Sequence, residues 1–150
     1  MSDMRVSIII PTHGHDGMTQ ACVDAVLHTT AHLDVEVIVV DDASAPPLSL
    51  RPDERGVVRV VRSEENLRFA GACNLGARSA SGAVLLFLNN DTRPRDGWLD
   101  ALLGPLATPQ VAIVGARLLY DDGTVQHAGL CFSIADGLPR HMFRGFPADH

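Results

Sequence analysis

The chain contains no lysine. All 12 of its basic residues are arginine, so guanidinium is the only permanent side-chain cation available to an anionic ligand. Cysteine is scarce: Cys22, Cys73 and Cys131 are an odd, widely spaced set with apolar neighbours. That pattern excludes a disulfide framework and predicts reduced, packed thiols of the kind found in cytosolic proteins. No apolar run approaches the about 20 residues that a membrane-spanning helix requires, and the N-terminus carries no signal-peptide core. Positive charge is also in deficit. The formal net charge is −6, which argues against nucleic acid as the principal partner. Lone histidines abound, seven in all, yet none has the spacing of a zinc-binding His-Glu-x-x-His pair.

What remains is globular. The 150 residues are 46% hydrophobic and 20% charged, enough for one ordinary domain with a real core. "RVSIII" (5–10) and "VEVIVV" (35–40) are continuous and β-branched, which predicts strands buried on both faces. "VVRVV" (57–61) and "AVLLFL" (83–88) predict a third and fourth. Between them, Met18, Cys22, Val23, Val26 and Leu27 fall on one helical stripe, with Asp16 or Thr19 as its cap. "FAGACNLGARSAS" predicts a second helix, with Gly82 as its C-cap. "GWLDALLGPLA" predicts a third that Pro105 ends or kinks. "VAIVGARLL" (111–119) is strand-like, and the Asp-Gly turn after it predicts that "VQHAGLCF" returns as a hairpin. From Ser133 onward the pattern fades into a loop or lid. Strands alternating with helices imply right-handed crossovers and a mostly parallel sheet with helices on both faces.

Three polar clusters terminate the buried strands: "PTHG" after the first, "DDAS" after the second and "NNDT" after the fourth. Any one has an ordinary explanation as turn chemistry. A parallel sheet gathers all three along its carboxyl edge, where ligands of such folds sit. Asp91 is the candidate metal ligand, because Mg²⁺ and Mn²⁺ prefer carboxylate, water and substrate phosphate oxygens. One carboxylate suffices only for a cation that arrives with a diphosphate. Asn89 and Asn90 could bond a ribose or a metal-bound water. Asp41 and Asp42 are adjacent on an extended segment, so their side chains diverge. One supports the turn while the other can face the crevice and accept from a base N–H. Asn66, Arg68 and Asn74 are candidates for phosphate or sugar, at a small-residue entry to a helix whose N-terminus suits an anion. The Gly71–Gly76 spacing is not a P-loop, since Ala77-Arg78 stands where Lys-Ser/Thr is required. His13 lies on a crevice loop, and His127 and His141 could belong to a lid.

Taken together, "VSIIIPTHG", "VIVVDDAS", "ENLRFAGACNLGA" and "VLLFLNNDTRPRDGWL" resemble family-2 glycosyltransferases of GT-A (Rossmann-like) fold. "VGARLLYDDGTVQHAGLCF" further resembles the bacterial, rhamnosyltransferase-like members. The resemblance covers about residues 5–132, which it implies are a nucleotide-sugar-binding core. It leaves 133–150 as a loop or lid leading toward an acceptor-binding region. It implies a UDP- or dTDP-linked sugar donor, Mn²⁺ or Mg²⁺, a saccharide or lipid-linked acceptor and inversion at the anomeric carbon. By position it implies Asp91 as metal ligand, within "NND" where the family carries Asp-x-Asp. It implies Asp42 as the acceptor of a uracil or thymine N3–H, and Pro11, Thr12 and His13 as the loop around the nucleoside. Arg68 stands where many relatives carry glycine. A cytoplasmic location is expected, with peripheral contact at the inner membrane face left open. The rival reading is a non-catalytic nucleotide-binding module that keeps the fold.

No counterpart of the family's general base occurs, and that group is expected beyond His150. The 150-residue chain is therefore predicted to bind nucleotide diphosphate yet transfer sugar poorly. A radiolabelled-donor transfer assay that found robust turnover by this chain would contradict that expectation.

Overall fold

The computed structural model describes residues 4–149. They fall into two compact units, one ending at Trp98 and the other beginning at Leu99. The first unit holds β1 (Val6–Thr12), α1 (Asp16–Thr29), β2 (Val35–Asp42), β3 (Val58–Ser63), α2 (Arg68–Ser79) and β4 (Val84–Phe87). The four strands are all parallel, in the order β3-β2-β1-β4. The chain moves from β1 outward to β2 and β3, then returns past β1 to β4. Right-handed crossovers in opposite directions put α1 and α2 on opposite faces of the sheet.

Alternation along the strands divides the core accordingly. Ile9, Ile38 and Val40 pack with Ala72 of α2. Ile8, Ile10, Val37 and Val39 point the other way, toward the face of α1, and are equally buried. β1 and β2 are thus covered on both sides, as their unbroken apolar runs predict. β4 is not: Leu85 and Phe87, in register with Ser7 and Ile9, are 44% and 50% exposed. They share the face of α2, but that helix lies over β1 and β2. β3 is likewise half-covered.

Close packing explains two glycines. A Cβ on Gly76 would lie 2.4 Å from Ile9 Cγ2, so α2 approaches the sheet only with glycine there. Gly82 is not the expected C-cap of α2; that position is Ala80, in extended conformation. A Cβ at Gly82 would lie 2.7 Å from the Arg5 carbonyl oxygen, and its N–H donates to Ser7 Oγ at 2.8 Å. It lets the chain enter β4 hard against β1.

The same corner holds a buried carboxylate that the apolar run around it conceals. Glu36 Oε1 accepts from Ser7 Oγ (2.6 Å), Ser81 N–H (2.6 Å) and Ser81 Oγ (2.8 Å), and Oε2 from Arg59 (3.3 Å). Burial alone would raise its pKa, but these four donors outweigh it and hold it at about 2 against an ordinary 4.5. The β2–β3 connection is strapped along α1. Ser49 N–H donates to Asp16 Oδ2 (3.2 Å) and Arg51 N–H to Gln20 Oε1 (2.7 Å). The Arg55 guanidinium reaches the Leu27, Thr30 and Leu33 carbonyls at the helix C-terminus.

The second unit holds α3, which begins at Trp98 and ends at Leu103, a 3-10 turn at Pro105–Ala107, and two hairpins. β5 (Leu118–Leu119) pairs with β6 (Val125–His127), the expected Asp-Gly hairpin. β7 (Leu130–Phe132) pairs with β8 (Pro139–His141), which lies inside the stretch read as loop or lid. The strand expected over 111–119 forms only at its last two residues, and Ile113 is 91% exposed. Apolar composition promotes extension, but a strand also needs a partner edge. Cys22 and Cys73 are buried as expected, whereas Cys131 is exposed; all three are free. No helix among the described residues is long and apolar enough to cross a membrane.

A depressed carboxyl stabilises the fold above its unfolded pKa, and that contribution is lost as pH falls through the folded value. Between about pH 4.5 and 2 the protein is expected to lose about 3 kcal/mol more than Glu36→Gln, so the stability gap between them closes. Urea unfolding across that range checks this, and parallel pH profiles would contradict it.

Candidate functional site

The carboxyl ends of β1, β2 and β4 bring the three polar clusters to one edge, joined by hydrogen bonds. Thr12, the last residue of β1, is buried and bonded to Thr19 Oγ1 (2.9 Å) and Asn90 Nδ2 (3.0 Å). His13 Nδ1 lies 2.6 Å from the Asp42 carbonyl oxygen, and Gly14 N–H donates to Ser44 Oγ at 2.7 Å. The β1 loop therefore touches both neighbours: the turn after β4 through Thr12, and the turn after β2 through His13 and Gly14.

The two adjacent aspartates diverge, as alternation requires. Asp41 lies on the side of α1 and holds its own turn, accepting from Ser44 N–H (2.9 Å), Leu48 N–H (3.1 Å) and Arg62. Burial would raise its carboxyl, yet these donors keep it below the usual range. Asp42 lies on the side of α2, where Oδ1 accepts from Leu67 N–H at 2.7 Å. That bond joins the entry of α2 to the same edge. Asn66 Oδ1 then accepts from Arg68 N–H at 3.0 Å, closing a turn.

Strain collects here. The only non-glycine residues with positive φ in the described part of the first unit are His15 (63°), Ala43 (56°) and Arg68 (60°), in the connections that follow β1, β2 and β3. His15 is the N-cap of α1 and makes no side-chain capping bond. Neither Asp16 nor Thr19 is the cap: Asp16 receives Ser49, and Thr19 is buried against Thr12. Arg68 opens α2 in a left-handed conformation that glycine adopts freely.

The Asn89-Asn90-Asp91 turn is fastened at both ends. Thr92 N–H donates to the Asn89 carbonyl at 3.1 Å, and the buried Cys22 thiol donates to the same oxygen at 3.6 Å. Burial, then the charge of Asp91, push that thiol up to about 12, so it is a neutral donor with no nucleophilic role. Asn89 and Asp91 are exposed; Asn90 is turned inward. Asn74 is exposed midway along α2, and among the described residues no hydrogen bond joins it to these loops. Pro11 is buried within β1, opposite Val40. In the second unit His127 and His141 meet Nδ1 to Nδ1 at 2.8 Å.

Sequence reading missed Ser44, the Leu67 N–H and the inward role of Thr19. Only Ser44 left a signal, as the hydroxyl closing "DDAS".

Among the described residues no three His, Cys, Asp or Glu side chains cluster to cage a metal. The donor set does fit a hard divalent cation that brings its own ligands: one exposed carboxylate, Asp91, flanked by neutral Asn89.

A reversing parallel sheet with this edge has the architecture of GT-A glycosyltransferases. The sequence model of glycosyl transferase family 2 matches residues 7–133, and the chain belongs to that family. It is 35% identical to the O-antigen biosynthesis protein RfbC of Myxococcus xanthus, over 95% of this chain but 12% of that protein. It is 32% identical to the pre-mycofactocin glycosyltransferase of Mycobacterium tuberculosis, over 79% of this chain and 24% of the relative. The chain thus spans less than a quarter of either relative. Its fold resembles that of a Pyrobaculum calidifontis mannosyltransferase solved with GDP-Man and Mn²⁺, with a TM-score of 0.62 and 24% identity over 72% of this chain and 34% of that one.

Arg68→Gly is expected to raise stability by about 0.5–1 kcal/mol, since a left-handed L-residue costs more than glycine's extra unfolded-state entropy. Urea unfolding measures it, and a destabilised variant would contradict the left-handed start of α2.

Proposed function

We propose that this chain forms the donor-binding part of a glycosyltransferase that moves a sugar from a UDP- or dTDP-linked donor to an acceptor hydroxyl. The observation that carries this reading is the hydrogen-bonded continuity of one edge, from Asp42 through His13 and Thr12 to Asn90 and its neighbour Asp91. We take Asp42 as the base-recognising carboxylate and Asp91 as the cation-binding one, on the two loops that flank the β1 loop, an arrangement suited to a nucleoside diphosphate.

In this reading Asp42 accepts from the base N3–H, with its other oxygen held by Leu67 N–H. Pro11 and His13 border the nucleoside. Asn66, Arg68 and Asn89 serve the ribose and phosphates, and Asn74 is the weakest of these assignments because it lies farther along α2. Asp91 holds Mn²⁺ or Mg²⁺. When bound there, such a cation would supply Lewis-acid neutralisation of the charge on the diphosphate. The chain's own residues bind and orient the donor so that its anomeric carbon faces the acceptor, and direct attack there inverts that centre. A general base must take the acceptor proton, and none of these residues is assigned to it. The Mn²⁺ and GDP-Man of the mannosyltransferase support a metal-bound nucleotide sugar in this architecture. The likeness to the O-antigen biosynthesis protein RfbC supports polysaccharide biosynthesis, and the acceptor in this reading is a saccharide or a lipid-linked saccharide.

Calorimetry tests the assignment. UDP or dTDP is expected to bind with Mn²⁺ present, and Asp91→Ala to weaken that binding at least about tenfold while binding without metal changes little. No affinity for either nucleotide with Mn²⁺ or Mg²⁺ would overturn the reading.

A further inference from the structure

Thr12, Thr19 and Asn90 come from β1, α1 and the turn after β4, and their polar atoms meet at one point. Every proton there can be assigned. Thr12 donates its single hydroxyl proton to the Gly14 carbonyl at 2.7 Å. Its two lone pairs must then serve the remaining contacts. One accepts the Thr19 hydroxyl at 2.9 Å, the other an Asn90 amide proton at 3.0 Å. The second proton on Asn90 Nδ2 reaches Thr19 Oγ1 at 3.1 Å. With the amide reversed, its oxygen would face Thr12 Oγ1 with no proton between them. The orientation is therefore set by the threonines, and both N–H donors of Asn90 are consumed inward. Thr19 is fully buried.

Beside this clasp, Cys22 and the Thr92 N–H both grip the Asn89 carbonyl. Asp91 lies between the anchored residues. We infer that Asn90 is a positioning residue, which clasps Thr12 and Thr19 to hold the 88–92 turn so that the Asp91 carboxylate meets a diphosphate-borne divalent cation at a fixed place. This rests on the function proposed above, but it removes Asn90 from the ribose or metal-bound water. It also makes a counter-intuitive demand. Aspartate at 90 would add negative charge beside the cation, yet it lacks both donors the clasp needs.

The test measures Mn²⁺-dependent UDP affinity by calorimetry, together with hydrogen exchange of the Thr92 amide without metal. Asn90→Asp and Thr19→Val are each expected to weaken Mn²⁺-dependent binding about tenfold, the usual scale for groups that orient a metal ligand. Thr19→Ser, which keeps the hydroxyl, is expected to retain wild-type affinity. Thr19→Val added to Asn90→Ala is expected to cost nothing more, because both break one device. Thr92 exchange is expected to accelerate in Thr19→Val and not in Thr19→Ser. Tighter Mn²⁺ binding by Asn90→Asp, unchanged affinity in Thr19→Val or simply additive losses would overturn the inference. If the wild-type chain binds no nucleotide with Mn²⁺, the proposed function fails first. Exchange then decides the clasp: faster Thr92 exchange in Thr19→Val supports it, and unchanged protection refutes it.

Discussion

The reversal of strand order at β1 is the constraint on which the rest depends. β2 lies on one side of β1 and β4 on the other, with connecting helices on opposite faces. No crossover covers the carboxyl end of β1, so its following loop stands in a cleft between two other loops. Such a point is where open α/β sheets take ligands. Here the loop is not merely adjacent to its neighbours. Thr12 bonds toward β4 and His13 toward β2, so the three loops share one set of hydrogen bonds.

The two edges of this sheet are built on different principles. At the amino edge, Glu36 is surrounded by donors from Ser7, Ser81 and Arg59, and Gly82 closes the gap to β1. That corner is satisfied and closed, and its charge contributes stability. At the carboxyl edge, three residues take left-handed backbone at a cost of about 1–2 kcal/mol each, and Asp91 is left in solvent. Strained loops persist when the frame around them over-determines their shape. Asp41 provides part of that frame by holding Ser44, Leu48 and Arg62, and so do Thr12 and Cys22.

The sheet was legible in the chain wherever burial is two-sided. β1 and β2 are continuous apolar runs because both faces are covered, and their polar ends mark the ligand edge. Legibility fell where composition underdetermines pairing. Residues 111–117 have the composition of a strand but no ladder, and β8 forms from "PRH", which has none of that composition. Glu36 was hidden because one acidic residue in "VEVIVV" reveals nothing without its register partner, Ser7. Of the candidate site, the residues and their common edge could be read; their directions could not. That Asp41 turns to its own loop, that Asp42 takes the Leu67 N–H and that Asn90 faces inward are facts of alternation and hydrogen-bond geometry. Arg68 is the instructive middle case. Its departure from glycine was visible, but its meaning awaited the sign of φ.

The convergence of the three loops into one binding edge can be measured directly by NMR. Mn²⁺ broadens amide signals steeply with distance, so titration in the presence of UDP maps the cation. The account predicts that broadening centres on residues 89–92 and spreads to 12–14, with chemical-shift changes from the nucleotide at Asp42 and Leu67. Broadening centred on Asp24 of α1 and Asp53 of the β2–β3 connection, or in the second unit, would contradict it.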